Sequence, residues 1–336
     1  MKLVSTINHP SSRVPLGLDP VVVGTAYCIL SAIAYTATNI CLRALAGHAS
    51  QVQVICVKEF VTVAVVGPWL VYQGRRGLRV WPKPSSLVPL VLVGLATQLV
   101  ANLGLLWAMG IVGLAVSIPA ALGISLAGSA VLGRVVLGER VSARSWMAVT
   151  LLIASIVLLK IGADQGGRLA AAEPAQVALA VGAACLAGVT FAALSVTIRY
   201  SVTSQVSPYA VVFIVTGMGV ISLAPLSLWQ LGVEGWGQTP PGDLTIMLLA
   251  GALNLIAFLA ISKGLQLTTI VHANVLNASQ VAMAAVAGLL LFAEQPSVQL
   301  VLGICLTIVG MMLIDRPAGE PAAESEEAAE SDETPS

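Results

Sequence analysis

Charge is what this sequence has least of. Only 10% of its 336 residues are Asp, Glu, Lys or Arg, where a soluble domain carries roughly 25%. That scarcity excludes a solvated globular surface. Cysteine pairs are missing too. The five cysteines, Cys28, Cys41, Cys56, Cys185 and Cys305, all fall inside apolar runs and none has CxxC spacing. They read as small buried apolar residues, not as a disulfide framework or a metal site. No GxxxxGK[ST], HExxH or GxGxxG occurs, so the chain shows no ATP-hydrolysing machinery and no cofactor or metal is expected. Any work it does draws on a gradient or runs downhill. The first residues, MKLVSTINHPSSRVPLGLDP, lack a signal-peptide apolar core, so no cleavage is expected.

What is present is apolar length. Hydrophobic residues make up 57% of the chain, and the mean hydropathy is +0.93. Runs of roughly 20 apolar residues span a bilayer core about 30 Å thick as helices. Ten such runs are legible: 20–42, 52–73, 86–108, 111–136, 145–161, 175–198, 207–230, 244–262, 267–292 and 297–314. The third and fourth join near AMGIVG. The expected fold is therefore an all-α polytopic membrane protein with ten transmembrane helices. The segment KIGADQGGRLAAAEP follows the fifth run and reads as a connector between two halves.

The chain also repeats a phrase. VVLGERVSARS at 135–145 and LLFAEQPSVQL at 290–300 each separate two apolar runs. Aligning Glu139 with Glu294 also aligns Ser142 with Ser297, Ile153 with Ile308 and Leu158 with Leu313. Five runs lie on each side of the connector. Five is odd, so the second copy enters the membrane from the opposite face, as in the inverted-topology repeats of many secondary transporters. The expected units are a cytoplasmic N-terminal segment at 1–19, a first five-helix repeat at 20–161, a linker at 162–174, a second repeat at 175–314 and an acidic tail at 315–336. The tail, PAGEPAAESEEAAESDETPS in its last twenty residues, has almost nothing to bury and reads as disordered and solvating.

Orientation follows from the positive-inside rule. Most of the 16 Lys and Arg fall on one side, led by QGRRGLRVWPKP; only Arg43, Lys160 and Arg168 fall on the other, and Lys58 lies within a run. Both termini are expected in the cytoplasm, with the protein in a bacterial inner membrane.

The doubled turn, LGERVS and FAEQPS ahead of AVTLLIASIVLL and LVLGICLTIVGMML, resembles the drug/metabolite transporter superfamily, EamA-type, over about 20–314. In the ninth run, where that family often carries Glu-Pro, this chain reads Ser279-Gln280-Val281. The resemblance implies a secondary active transporter of small metabolites, with export favoured over import, alternating access between two inverted repeats, and no enzymatic activity. Lys58 matches a cationic residue that the family often has in its second helix. The different-class alternative is a membrane scaffold, or an enzyme on lipid-linked substrates, without solute transport; the missing catalytic constellation counts against the enzyme.

Within the runs, polar residues are the candidates for a site. Lys58 and Glu59 begin about seven residues inside the second run, roughly 11 Å below the surface. Each charge there costs on the order of 2.5–3.5 kcal/mol on insertion scales. Neighbours on a helix point about 100° apart, so one side chain is expected to line a cavity while the other pairs elsewhere. The bland alternative is a structural ion pair, with Arg43 as a partner. A desolvated Glu59 is the candidate proton carrier, and Lys58 suits a substrate carboxylate or phosphate. Ser31, Tyr35 and Asn39 recur every four residues, as do Gln98 and Asn102, with Trp107 further along. Asn274, Asn277 and Gln280 recur every three, and Asn254 sits in the eighth run. These spacings put each set on one helix face. For a single amide, interhelical hydrogen bonding is the commoner role; several helices together favour a polar cavity. Glu139 and Glu294 read as capping or pairing residues at helix ends. GISLAG at 123–128 has no partners for catalysis and suits close packing. Expected partners are a small-molecule substrate, the lipid bilayer and protons as coupling ion; no nucleic acid is expected, and a homodimer is compatible with the sequence.

Overall fold

The computed structural model describes residues 20–77, 81–137, 173–203, 206–268, 276–277, 279–293 and 297–313, with scattered positions at 147–158 and at 273. Among these residues every regular element is a helix. The helices are α1 (Pro20–Leu45), α2 (Gln51–Arg75), α3 (Pro84–Ala96), a π-helical segment (Thr97–Asn102), α4 (Leu103–Val112), α5 (Leu114–Leu137), α6 (Pro174–Thr203), α7 (Pro208–Gly237), α8 (Pro241–Leu267), α9 (Ser279–Leu291) and α10 (Val298–Leu313). α3, the π segment and α4 run on as one apolar rod. Six rods are long and apolar enough to cross a membrane: those within α1, α2, α3 to α4, α6, α7 and α8. The chain is thus a helical polytopic membrane protein.

Proline and glycine punctuate the helices. α1, α3, α6, α7 and α8 each begin with Pro, whose missing N–H is no loss in a first turn. Gly113, at φ 79° and ψ 176°, ends α4 and starts α5. That backbone region is essentially open to glycine alone. The break therefore falls at the glycine, so the expected third and fourth spans, 86–108 and 111–136, become 84–112 and 114–137. Gly232, at φ 65° and ψ 174°, bends α7 near its C-terminal end in the same way. Hydroxyls inside the helices bond back to their own turn, as Thr36 does to the Ala32 carbonyl at 2.8 Å and Thr38 to Ala34 at 2.9 Å. Neither hydroxyl then lacks a partner inside the membrane.

Small residues set the packing. α1 lies along α8, α5 along α6, and α2 against both α7 and α8, while α4 and the π segment rest on α6. At Gly188 of α6 a Cβ would collide with the Ala121 carbonyl and come 2.9 Å from Ile124 Cβ. Van der Waals packing at such close approaches is the main attraction between helices in lipid. The Ser31 hydroxyl donates to the Ala257 carbonyl at 2.9 Å, so this member of the first-helix stripe ties α1 to α8.

The expected fifth span, 145–161, and the doubled-turn glutamates Glu139 and Glu294 lie outside the continuously described residues. The expected ninth span, 267–292, is described as a helix from Ser279 to Leu291.

Candidate functional site

Helices α1, α2, the π segment and α4 to α9 converge on one cavity of about 170 Å³. That is room for a small solute with a few waters. Its walls are mostly apolar, with Leu105, Met109, Ile118, Phe191 and Phe258 among them. Its polar groups come from several helices, and they include nine of the eleven residues expected from sequence: Tyr35, Asn39, Lys58, Glu59, Gln98, Asn102, Asn254, Asn277 and Gln280.

The charged pair sits in the middle of this group. Lys58 is 3% exposed and Glu59 1%. Lys58 Nζ lies 2.8 Å from Glu59 Oε1. The expectation that these adjacent side chains diverge is thereby corrected. The Cβ vectors do diverge, but four methylenes let the ammonium fold back to its neighbour, and a buried charge without a partner is costly enough to enforce it. Arg43, named as a candidate partner, instead lies over the Phe292 ring at 5.4 Å.

The π segment shapes the next layer. Gln98, 1% exposed, donates through Nε2 to the Val215 carbonyl at 3.1 Å. Asn102 donates through Nδ2 to Gln98 Oε1 at 2.7 Å, and the same amide lies 3.4 Å from Glu59 Oε1. One wide turn thus sets Asn102 against the carboxylate and Gln98 against Asn102. Such π turns recur at functional sites. Glycine makes room: a Cβ on Gly219 of α7 would stand 2.9 Å from both Gln98 Cδ and Glu59 Cγ. On the far side, Gln280 Nε2 donates to Asn277 Oδ1 at 2.6 Å.

One oxygen of this network is unmatched. Glu59 Oε2 is buried and has no hydrogen-bond partner among the described residues. A buried acceptor of this kind marks a place for a proton, a water or a ligand donor.

Two expected residues do not join the site. Trp107 packs against the hydrophobic core around α4 instead. It is five residues beyond Asn102, about 140° around an α-helix, so it faces away. Asn274 lies outside the described residues. The sequence reading also missed lining residues. Thr38, Thr97, Ser125 and Ser195 reach the cavity. Thr38 and Thr97 adjoin residues already singled out, and Ser125 sits in the GISLAG stretch; a hydroxyl alone gives little signal, because most in-helix hydroxyls bond to their own backbone. Among the described residues no cluster of three metal-binding side chains occurs.

Comparison with known proteins adds family and fold. Residues 178–315 match the model of the EamA-like transporter family. A solved crystal structure, described only as that of a protein, is similar with a TM-score of 0.57 and 15% identity, over 88% of this chain and 95% of that one. At that identity the likeness speaks for the fold alone. No curated protein matches.

Proposed function

From the match of residues 178–315 to the EamA-like transporter family, we propose that this protein belongs to the drug/metabolite transporter superfamily and is a secondary active transporter of small metabolites, working outward across a bacterial inner membrane with both termini in the cytoplasm. The carrying observation is the cavity itself: a buried Lys58–Glu59 pair, 2.8 Å apart, among amides contributed by helices from both halves of the chain.

The proposed scaffold is two inverted five-helix repeats, residues 20–161 and 175–314. Reciprocal packing supports it. The first helix of the first half, α1, lies on the third of the second half, α8; the first helix of the second half, α6, lies on the third of the first, the π segment and α4. The second helices, α2 and α7, pack on each other. Exchange of these reciprocal contacts would open the cavity to one side and then the other. Inverted repeats would also place the cavity near the midplane, where the pair is costly to hold. Apolar residues of similar volume often replace a whole buried ion pair without loss of stability, so the presence of this one supports a role in the cycle.

The test is a metabolite profile of medium and cytosol from cells making the protein or its Glu59→Gln variant at matched membrane levels. A small set of compounds shifted toward the medium only by the unmodified protein is the expected result. No shift in any growth condition, together with no saturable flux in liposomes, would sink the transporter reading.

A further inference from the structure

Resting on that transporter reading, we infer that the substrates are organic acids with an apolar body, and that each crosses together with one proton carried by Glu59.

Charge in the cavity comes from two side chains among the described residues. Of the lining residues, Lys58 and Glu59 on α2 are charged, and Tyr35 on α1 is the one other titratable group; the π segment, α4, α5, α6, α7, α8 and α9 present amides, hydroxyls and apolar side chains. Among the described residues the empty site is therefore neutral, and Lys58 and Glu59 neutralise each other at 2.8 Å. A charged solute that enters must take one member of the pair and leave the other to be compensated.

The two ways of splitting the pair differ. A cationic solute on Glu59 would strand the Lys58 ammonium, which has Glu59 as its ion-pair partner. An acid on Lys58 would release Glu59, and Glu59 is already prepared for release. Its Oε1 keeps the Asn102 amide in reach at 3.4 Å. Its Oε2 has no partner and is sealed from solvent, so it can take a proton without losing a bond. The step balances. A proton from the side to which the cavity is open joins Glu59 Oε2. Lys58 exchanges the Glu59 carboxylate for the substrate carboxylate, and the loaded cavity is neutral again. Leu105, Met109, Phe191 and Phe258 then face the body of the acid. The carrier reorients only when neutral, either empty or with acid and proton together. Net flux runs outward whenever the outward gradient of the acid exceeds the inward gradient of protons, which makes the protein an overflow route for accumulated acids.

The experiment uses the full chain in liposomes with a pH dye inside and three probes that share one isobutyl body: α-ketoisocaproate, isoamylamine and leucine. Protein-free liposomes set the passive rate. The expected result is saturable flux of the keto acid alone, one proton moving in the same direction with each molecule, at a rate unaffected by an imposed potential. Glu59→Gln, whose empty form keeps an unpaired Lys58 charge, should exchange acid for acid without moving protons but lose net flux, and Lys58→Gln should lose both at least tenfold. Preference for the amine or for leucine, or acid flux with no proton or a counter-moving one, overturns the inference while leaving a transporter. The unmodified protein decides this even if a variant fails to fold. Absence of saturable flux for all three, with no compound shifted in the metabolite profile, would instead remove the transporter reading beneath it.

Discussion

Gly219 of α7 and Glu59 of α2 approach so closely that a single added carbon on the glycine would lie 2.9 Å from Glu59 Cγ. The same carbon would lie 2.9 Å from Gln98 Cδ. Three helical segments therefore meet at one missing side chain. A carboxylate and an amide fill the space that residue 219 leaves open.

Replacing Gly219 by Ala should cut saturable flux by an order of magnitude or more, because Gln98 and Glu59 must both move. Overpacking of this kind usually costs about 1–3 kcal/mol. Gly217→Ala is the control, since a Cβ there meets nothing within 4 Å. Flux and melting temperature measured side by side would separate the two sites; equal behaviour would refute the crowding.

The ion pair predicts a double-mutant cycle. Lys58→Met leaves Glu59 buried without its cation and should lower stability by about 3–5 kcal/mol. Adding Glu59→Gln should restore most of that loss. Thermal unfolding of the four proteins in detergent reads the coupling, and additive effects would show that the pair is not held in the membrane interior.

Deleting Val100 should convert the π segment to regular α-helix. The π turn holds one residue more than an α turn, so the flanking helices should keep their phase while Gln98 and Asn102, on either side of the deletion, go from four residues apart to three and lose their present alignment with Val215 and each other. A folded protein with transport lost is expected. Unchanged flux would mean that the wide turn has no part in the site.

At the α5–α6 contact, Gly188→Leu should destabilise the protein more than Gly182→Leu. A Cβ at 188 collides with the Ala121 carbonyl, whereas one at 182 meets nothing within 4 Å. Melting curves of the two variants test this, and similar losses would contradict the packing.

Much of the architecture was legible because lipid imposes a coarse rule. A backbone in hydrocarbon must bond to itself, so a run such as 52–73 has little choice but a helix, and Gln51–Arg75 is one. The end points were less legible. The break at Gly113 depends on one backbone angle that only glycine reaches comfortably, and AMGIVG offers two glycines, Gly110 and Gly113, to choose between. The polar stripes were legible as faces. Trp107 was grouped with the Gln98 and Asn102 stripe although α-helical spacing alone turns it about 140° from Asn102.

Partners were not legible. Periodicity places Tyr35 and Asn39 on one side of α1, but Ser31 on the same stripe bonds to α8 at Ala257, 226 positions away. Adjacent residues are expected to diverge, and Lys58 nonetheless reaches Glu59. Side-chain length and the cost of an unpaired charge decide that outcome, and neither shows in spacing.

By itself the sequence determined that the chain lives in a bilayer, that its backbone is helical, and that polar side chains are placed where lipid would penalise them; composition and hydrophobic length suffice, because solvent acts on each segment separately. Only the tertiary structure decided which of those polar groups share a cavity. It also decided that the buried charges pair with each other, that the π segment brings Asn102 to the carboxylate, and that Gly219 leaves room for Gln98 beside it. Those are contacts between helices distant in sequence, set by close packing at a few small residues, and no local pattern encodes them.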